Sequence, residues 1–138
     1  MIIKSEKNVY DSSNGMYDYS VYELDTEKRT VTYTDPVTYE RTTTSFNTDF
    51  TRHHLRYVEE NDIGRLKKLV NEGRIIEYLD EIEDKCFEIV DNQVEKWKAD
   101  DKEYQAAVMC GNIVLAAGLA NNMVLRAKEI ANDCVVYR

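Results

Sequence analysis

Alternating apolar and polar residues predict strands in the first third of the chain. Residues 16–46 are rich in Tyr, Thr and Val, which favour pleated, half-buried surfaces. Within this segment, apolar and polar residues alternate along MYDYSVYELD. The following TEK predicts a turn, and Pro36 marks a turn or bulge. We expect an antiparallel meander of about three strands, which needs a helical layer to be stable. The segment DSSNG, residues 11–15, predicts a loop, and residues 1–10 are either frayed or a short edge strand.

From about Phe50 the spacing of apolar residues becomes helical. Capping residues and glycines divide this part into about four helices. The predicted helices run from Asp49 or Thr51 to Glu60, from Asp62 to Gly73, from Arg74 to Lys98, and from Asp100 or Asp101 to Asp133. The chain is therefore predicted to be one α+β domain over residues 1–138. Its β-rich Tyr/Thr segment, residues 1–50, packs on a helical bundle formed by residues 51–138.

The last predicted helix contains an apolar segment, AAVMCGNIVLAAGLA, residues 106–120. Its length falls short of the roughly 18–20 residues that span a bilayer, so we expect a buried helix and no membrane association. Gly111 and Gly118 each cost about 1 kcal/mol in a helix relative to alanine. With the neighbouring alanines they indicate close approach of another helix. That helix belongs either to this chain or to a second copy, in a homodimer formed through residues 104–131.

Composition narrows the classes of function. The 138 residues carry a formal net charge of -8, with a pI near 4.8, and clustered Lys and Arg are what phosphate binding needs. Direct binding of free nucleic acid by the whole surface is therefore disfavoured. Cys86, Cys110 and Cys134 have no C-x-x-C spacing, which favours free, buried thiols in a reducing cytoplasm. The segment MIIKSEKNVY lacks the apolar run of a signal peptide.

The two histidines are adjacent, in the segment TRHHLRYVEEN. Consecutive helical residues point about 100° apart, so His53 and His54 cannot converge on one ion from a single turn, and zinc-binding histidines of a helix are spaced i, i+4. We therefore expect no metal, no cofactor and no catalytic role. One ring is expected to pack under the sheet with a hydrogen bond, while Arg52 and Arg56 cap or pair locally.

Three segments of the helical part carry a family resemblance: RHHLRY, LKKLVNEGRIIEYLDEIE and NNMVLRAKEIANDCVVYR. They are similar to the TnpV family of transposon-encoded small proteins, in which an R-x-H-L-R-Y segment precedes a short helix, a Gly turn, a YL-x-x-I helix and an R-A-x-E-I terminus. The matching positions are Arg52, His54, Leu55, Arg56, Tyr57, Gly73, Tyr78, Leu79, Ile82, Asn122, Arg126, Ala127, Glu129 and Ile130. The resemblance covers roughly residues 52–138. It implies a bacterial or phage mobile element as the source, and it transfers no catalytic residue.

Charge is unevenly distributed along the third predicted helix. Its apolar positions follow one face, from Ile75 through Leu79 and Ile82 to Trp97. Seven acidic residues lie opposite, in a row about 27 Å long at ~1.5 Å per residue. We call them the acidic row: Glu77, Asp80, Glu81, Asp84, Glu88, Asp91 and Glu95. Like charges at i+3 and i+4 are predicted to cost about 1–3 kcal/mol in total before salt screening.

These patterns lead to two functional hypotheses, neither of which is an enzyme, because no nucleophile elbow or phosphate-cradling loop is present in the sequence. In the first, a cytoplasmic bacterial protein of a mobile element inhibits a host nucleic-acid-binding enzyme, in the manner of an anti-CRISPR protein. The acidic row mimics nucleic acid, with Tyr17, Tyr19 and Tyr22 as anchors. In the alternative, an accessory or regulatory factor of transposition contacts DNA through a small basic patch. The patch comprises Arg52, Arg56, Arg65, Lys67 and Lys68. A merely solvated acidic face remains the third interpretation.

Overall fold

Strands in the N-terminal part and helices in the C-terminal part form an α+β protein. The computed structural model describes residues 1–11 and 17–138, and the side chains of Tyr10, Asp11, Tyr17 and Asp18 lie outside this description. The predicted loop of residues 11–15 therefore falls almost wholly outside the described residues. So does the predicted role of the Tyr17 side chain.

Six strands and five α-helices are described. The strands are β1 Ile2–Lys4, β2 Asn8–Asp11, β3 Tyr17–Ser20, β4 Tyr22–Asp25, β5 Thr30–Thr34 and β6 Arg41–Ser45. The helices are α1 Asp49–Asn61, α2 Ile63–Glu72, α3 Ile75–Asp100, α4 Lys102–Met109 and α5 Ile113–Ala131, followed by a π-helical turn at Asn132–Val136. Both counts exceed the predicted three strands and four helices.

The predicted meander is present as β4, β5 and β6, and β1 joins it as a fourth strand. The sheet is antiparallel throughout, in the order β1-β4-β5-β6. The first residues of the chain therefore form a short edge strand, with Ile3 opposite Leu24. Both predicted turns are confirmed. The carboxylate of Asp25 accepts hydrogen bonds from two backbone N–H groups after β4, and that of Asp35 does the same after β5.

The segment MYDYSVYELD does not form one continuous strand, although its alternation runs on without a break. It breaks at Val21 into β3, which pairs with β2 in a separate two-stranded sheet, and β4. The backbone N–H of Val21 donates to the carbonyl of Lys7 at 3.0 Å, and its carbonyl accepts from the N–H of Thr34 at 2.9 Å. These non-local bonds divert the chain from one sheet to the other.

The chain divides into two compact units, Met1–Glu83 and Asp84–Arg138. The boundary between the two units lies within α3. Residue 50, the predicted boundary between the β-rich and helical segments, marks only the change from strands to helices. The core of the first unit joins the sheet to α1, α2 and the first turns of α3. Its buried residues are Ile3, Leu24, Val31, Phe46, Leu55, Val58, Leu66, Val70, Ile75 and Leu79.

Short-range polar contacts set the ends of α1 and α2. Thr48, and neither of the predicted residues, caps α1, and its hydroxyl accepts a hydrogen bond from the N–H of Thr51 at 3.2 Å. Asp62 stands at the start of α2 as predicted, although its side chain makes no capping bond there. Gly73 ends α2 in the left-handed region at φ 72°, as the sequence predicts, and its N–H bonds to carbonyls of the last turn.

In the second unit the predicted fourth helix is two helices. Gly111 adopts φ 71°, which ends α4, and the side chain of Asn112 accepts a bond from the N–H of Leu115 to start α5. The prediction that residues 106–120 are buried is also wrong, since only Ala107 of that segment is buried. Of the three cysteines, Cys86 is buried as expected, whereas Cys110 and Cys134 are exposed. No helix in the described part is both long and apolar enough to cross a membrane.

Replacing Gly73 with alanine is expected to destabilise the protein. A Cβ atom there would lie 2.8 Å from the ring of Tyr22, and the left-handed backbone adds about 1–2 kcal/mol for a residue with a side chain. The free energy of unfolding, measured in urea, should fall by at least that amount in Gly73→Ala. In the control Gly64→Ala, in α2, only the side chain of Asp62 lies within 4 Å of the new Cβ, at 3.9 Å, so a gain of up to about 1 kcal/mol is expected. Equal effects of the two substitutions would contradict this account.

Candidate functional site

The rotation of α3 about its axis is fixed by its apolar face. Ile75, Leu79 and Ile82 are buried in the first unit, and three more side chains of the helix are buried in the second. Those three are Cys86, Val90 and Val94. The spacing of three and four residues predicted from the sequence is confirmed, although Ile89 and Trp97 are only half-buried. The acidic residues on the opposite face of the helix are exposed.

All seven residues of the acidic row are exposed. Glu77, Asp80 and Glu81 belong to the first unit, and the other four belong to the second. The arginines of α1 and α2 form ion pairs with carboxylates outside the row. These pairs are Arg52–Asp49 at 3.1 Å, Arg56–Glu60 at 3.6 Å and Arg65–Asp62 at 3.2 Å. Each of these arginines therefore has a carboxylate partner outside the row, and all seven side chains of the row are accessible to solvent.

One acidic residue of α3 has a structural role instead. Glu83 is half-buried, and its Oε1 accepts hydrogen bonds from the hydroxyls of Thr48, at 2.8 Å, and Thr51, at 2.7 Å. The carboxylate thus lies at the start of α1, where the backbone N–H groups favour negative charge. The sequence alone does not identify this role of Glu83, because Thr48 and Thr51 lie 35 and 32 residues away along the chain.

Helical spacing shows how strongly the row repels itself. Asp84 has three acidic neighbours at i±3 or i±4, namely Asp80, Glu81 and Glu88. Lys85 stands four residues after Glu81 and three before Glu88, and is the one basic residue among them. A single lysine relieves only part of the repulsion, so a net electrostatic cost is expected to remain.

Two of the three tyrosines proposed as anchors, Tyr19 and Tyr22, have contacts within the chain. Tyr22 packs against the core of the first unit, with its ring 5.0 Å from that of Tyr33 between centroids. Burial, with Tyr33 nearby, raises the pKa of the Tyr22 hydroxyl above its usual value. Tyr19 is half-buried beneath the guanidinium of Arg41, which lies 4.2 Å from the ring centroid.

His54 is a packed ring, as expected for one of the two histidines. Its side chain is 1% exposed, and its Nε2 lies 2.6 Å from the hydroxyl of Tyr78. Arg65 donates to the same hydroxyl at 3.5 Å, and this bond, together with Asp62, raises the pKa of the guanidinium. The neighbouring His53 is half-buried. Across residues 1–11 and 17–138, no three His, Cys, Asp or Glu side chains come together as metal ligands.

The five residues of the proposed basic patch are not equivalent. Arg52, Arg56 and Arg65 are held in the ion pairs of their own helices. Lys67 and Lys68 are exposed and, with Lys4 of β1, line a depression of about 620 Å³ at the edge of the sheet. Glu6 lines the same depression. The free positive charge of the patch is thus smaller than its composition indicates.

Comparison with known proteins gives no match: no protein family matches the chain, and neither does any curated protein or solved structure. The resemblance to the TnpV family stays a prediction. The geometry above is therefore the basis of the functional assignment.

Removing the hydroxyl of Tyr78 tests the role of the buried histidine. Tyr78→Phe takes away the partner of His54 Nε2, and losing a bond to a buried polar group costs about 1–3 kcal/mol. Urea denaturation should show that loss. Tyr39→Phe removes an exposed hydroxyl and is expected to change the free energy of unfolding by less than about 0.5 kcal/mol. If both variants were equally stable, the His54–Tyr78 bond would have no net effect on stability.

Reversing one charge in the acidic row should stabilise the protein. Asp84→Lys converts three repulsive pairs into attractive ones, for a gain of about 1–3 kcal/mol in the free energy of unfolding at low salt. Asp84→Asn, which only removes the charge, should give about half of this gain. Both gains should shrink in about 1 M salt, where the Debye length is about 3 Å. A destabilising effect of Asp84→Lys would show that Asp84 makes favourable contacts.

Proposed function

We propose that the protein is a non-enzymatic inhibitor, encoded by a mobile element, that acts in the bacterial cytoplasm. It binds a host nucleic-acid-binding enzyme, in the manner of an anti-CRISPR protein acting on an RNA-guided nuclease. The observation that carries the proposal is the exposure of all seven acidic residues along one face of α3. The acidic row enters the basic channel of the enzyme in place of nucleic acid.

The spacing of the charges supports this mimicry. From Glu77 to Glu95 the row is about 27 Å long at ~1.5 Å per residue, which gives roughly one charge per 4 Å. A single nucleic-acid strand carries one charge per about 3.4 Å. A channel that binds such a strand offers Lys and Arg at a similar density, so it attracts the row over several ångströms and orients it on approach.

The electrostatic cost of the acidic row to the stability of the free protein also supports a functional role. Like charges at i+3 and i+4 oppose helix formation, and interleaved lysines would remove this cost at no loss of solubility. A basic channel provides the missing counter-charges when the complex forms. Stability lost in the free protein is then regained in the complex, which adds to the affinity for cationic partners.

The alternative, a transposition factor that contacts DNA, has less support. Three of its five basic residues are held by neighbouring carboxylates, and Glu6 lies beside the two lysines. Binding of phosphate requires positive charge that is free to replace counterions. A gel-shift titration at low salt distinguishes the two functions. Salt-sensitive DNA binding that is abolished by changing Lys67 and Lys68 to glutamate would favour the alternative.

The experiment on the main proposal uses purified RNA-guided nucleases of the Cas9 type. The protein should bind the nuclease, compete with its target DNA and inhibit cleavage. The triple variant Glu81→Lys, Asp84→Lys, Glu88→Lys should weaken binding at least tenfold, because about 1.4 kcal/mol corresponds to a factor of ten. Biolayer interferometry measures the dissociation constant, and gel electrophoresis measures cleavage.

A matched variant distinguishes the effect of the acidic row on binding from the effect of the total net charge. Glu27→Lys, Glu40→Lys, Glu129→Lys changes the net charge equally at exposed positions outside the row. Its affinity should stay within about threefold of the native value, a difference of less than 1 kcal/mol. An equal loss in both triple variants would mean that net charge alone drives association. Absence of binding by the native protein across the nucleases would refute the proposal.

A further inference from the structure

The second unit contains a long stretch without charge. No acidic or basic residue occurs between Glu103 and Arg126, although 32% of the whole chain is charged. This stretch forms most of α4 and the first two-thirds of α5. Of its residues, only Ala107 and Met123 are buried. An exposed stretch of this length without charge is unusual in so acidic a protein, and it indicates a surface that is covered by another molecule.

The exposed part of this stretch is apolar and large. Met109 is 87% exposed and Val114 is 85% exposed. Four further apolar residues of the stretch are at least 40% exposed: Val108, Ile113, Leu115 and Leu125. Together the six leave on the order of 700 Å² in solvent, whereas the largest apolar patch of a typical monomer is about 300–600 Å². A standard interface buries roughly 600–1,000 Å² on each partner, so this exposed apolar area lies within the range of a stable dimer.

Large and small residues alternate over the surface. A groove of about 250 Å³ separates parts of α4 and α5 and is lined mainly by small residues. Those small residues are Ala107, Gly111, Ala116, Ala117 and Ala120. Ile113 stands at the edge of this groove, and Val114 lines a second groove that shares Asn112 with the first. Protruding side chains and the cavities that can accept them therefore occur on the same surface.

We propose that this surface, the exposed apolar part of residues 104–125, binds a second copy of the chain in a two-fold symmetric homodimer. A two-fold interface pairs a surface with itself, so the side chains of each copy must fit the grooves of the other. Here both components are present on one patch. Met109, with its flexible and adaptable side chain, and Val114 insert between the small residues of the other copy.

Charge favours a second copy over other occupants. Each copy carries a net charge of -8, so association is least opposed where the contact region itself is uncharged. A different protein would be oriented by complementary charges, and this surface has none to offer. Helices that bind a bilayer surface carry Lys and Arg beside the apolar face, whereas α4 begins with Lys102 and Glu103 after two aspartates. Permanent dimers have the more apolar type of interface.

The test is the molar mass of the full chain in solution. Sedimentation equilibrium over roughly 1–100 μM should give about 32 kDa, twice the 16.1 kDa of one chain. Val114→Glu places two charges at the contact and should raise the dissociation constant at least 100-fold. Ala117→Trp fills the groove without adding charge and should also weaken the dimer. Circular dichroism confirms that both variants, changed at exposed positions, remain folded.

The matched control is Val37→Glu. Val37 is 81% exposed in the turn between β5 and β6, outside the proposed interface, and its change should leave the dimer intact. A native protein that is monomeric at 100 μM overturns the proposal, as does a dimer that Val114→Glu leaves unchanged. Binding of the monomer to phosphatidylcholine vesicles, lost in Val114→Glu, would assign the surface to a membrane and overturn it as well. None of these outcomes depends on inhibition of a nuclease.

Discussion

Burial of one face of α3 is the constraint on which both the fold and the candidate site depend. Ile75 and Leu79 complete the core of the first unit, and Cys86 and Val90 are buried in the second. Each buried aliphatic side chain contributes about 1.5–3 kcal/mol, so the buried face outweighs the roughly 1–3 kcal/mol of repulsion along the acidic row. The helix therefore forms in spite of its charges, and burial of its apolar face leaves the acidic side chains exposed to solvent.

Glu83 shows the other way in which an acidic residue of this helix can be accommodated. It follows Leu79 by four residues and so lies close to the buried face, where an unbonded carboxylate would be costly. Two threonine hydroxyls and the start of α1 compensate for that cost. Glu83 thus ties α3 to α1, whereas the seven residues of the acidic row are exposed on the same helix. Burial therefore distinguishes the structural carboxylate of Glu83 from the solvent-exposed carboxylates of the row.

Local and periodic features of the fold were predictable, and features set by distant contacts were not. The face of α3, the turns after Asp25 and Asp35, and the left-handed Gly73 follow from spacing and residue type within a few positions. The break at Val21 was missed because alternation continues through it and only bonds to remote residues divert the chain. Sequence also located the acidic row, but the engagement of Tyr22 with the core required the packed structure. Only Ala107 of residues 106–120 is buried, although these residues are mostly apolar. Their apolar character indicates that they favour burial, but it does not identify what buries them.

The two proposed surfaces associate with their partners through different forces, so both surfaces are compatible with one chain. The acidic row acts through Coulomb forces that reach about 10 Å at 0.1 M salt and fall as salt increases. The apolar surface of α4 and α5 acts only on contact, through exclusion of water, and salt that screens the mutual repulsion of two acidic copies favours it. Added salt therefore shifts the two associations in opposite directions. Because the charge-free stretch lies wholly between Glu103 and Arg126, a change in one surface leaves the chemistry of the other intact. Under the two proposals this separation has a physical reason, since a charged dimer contact would oppose the pairing of two equally acidic copies.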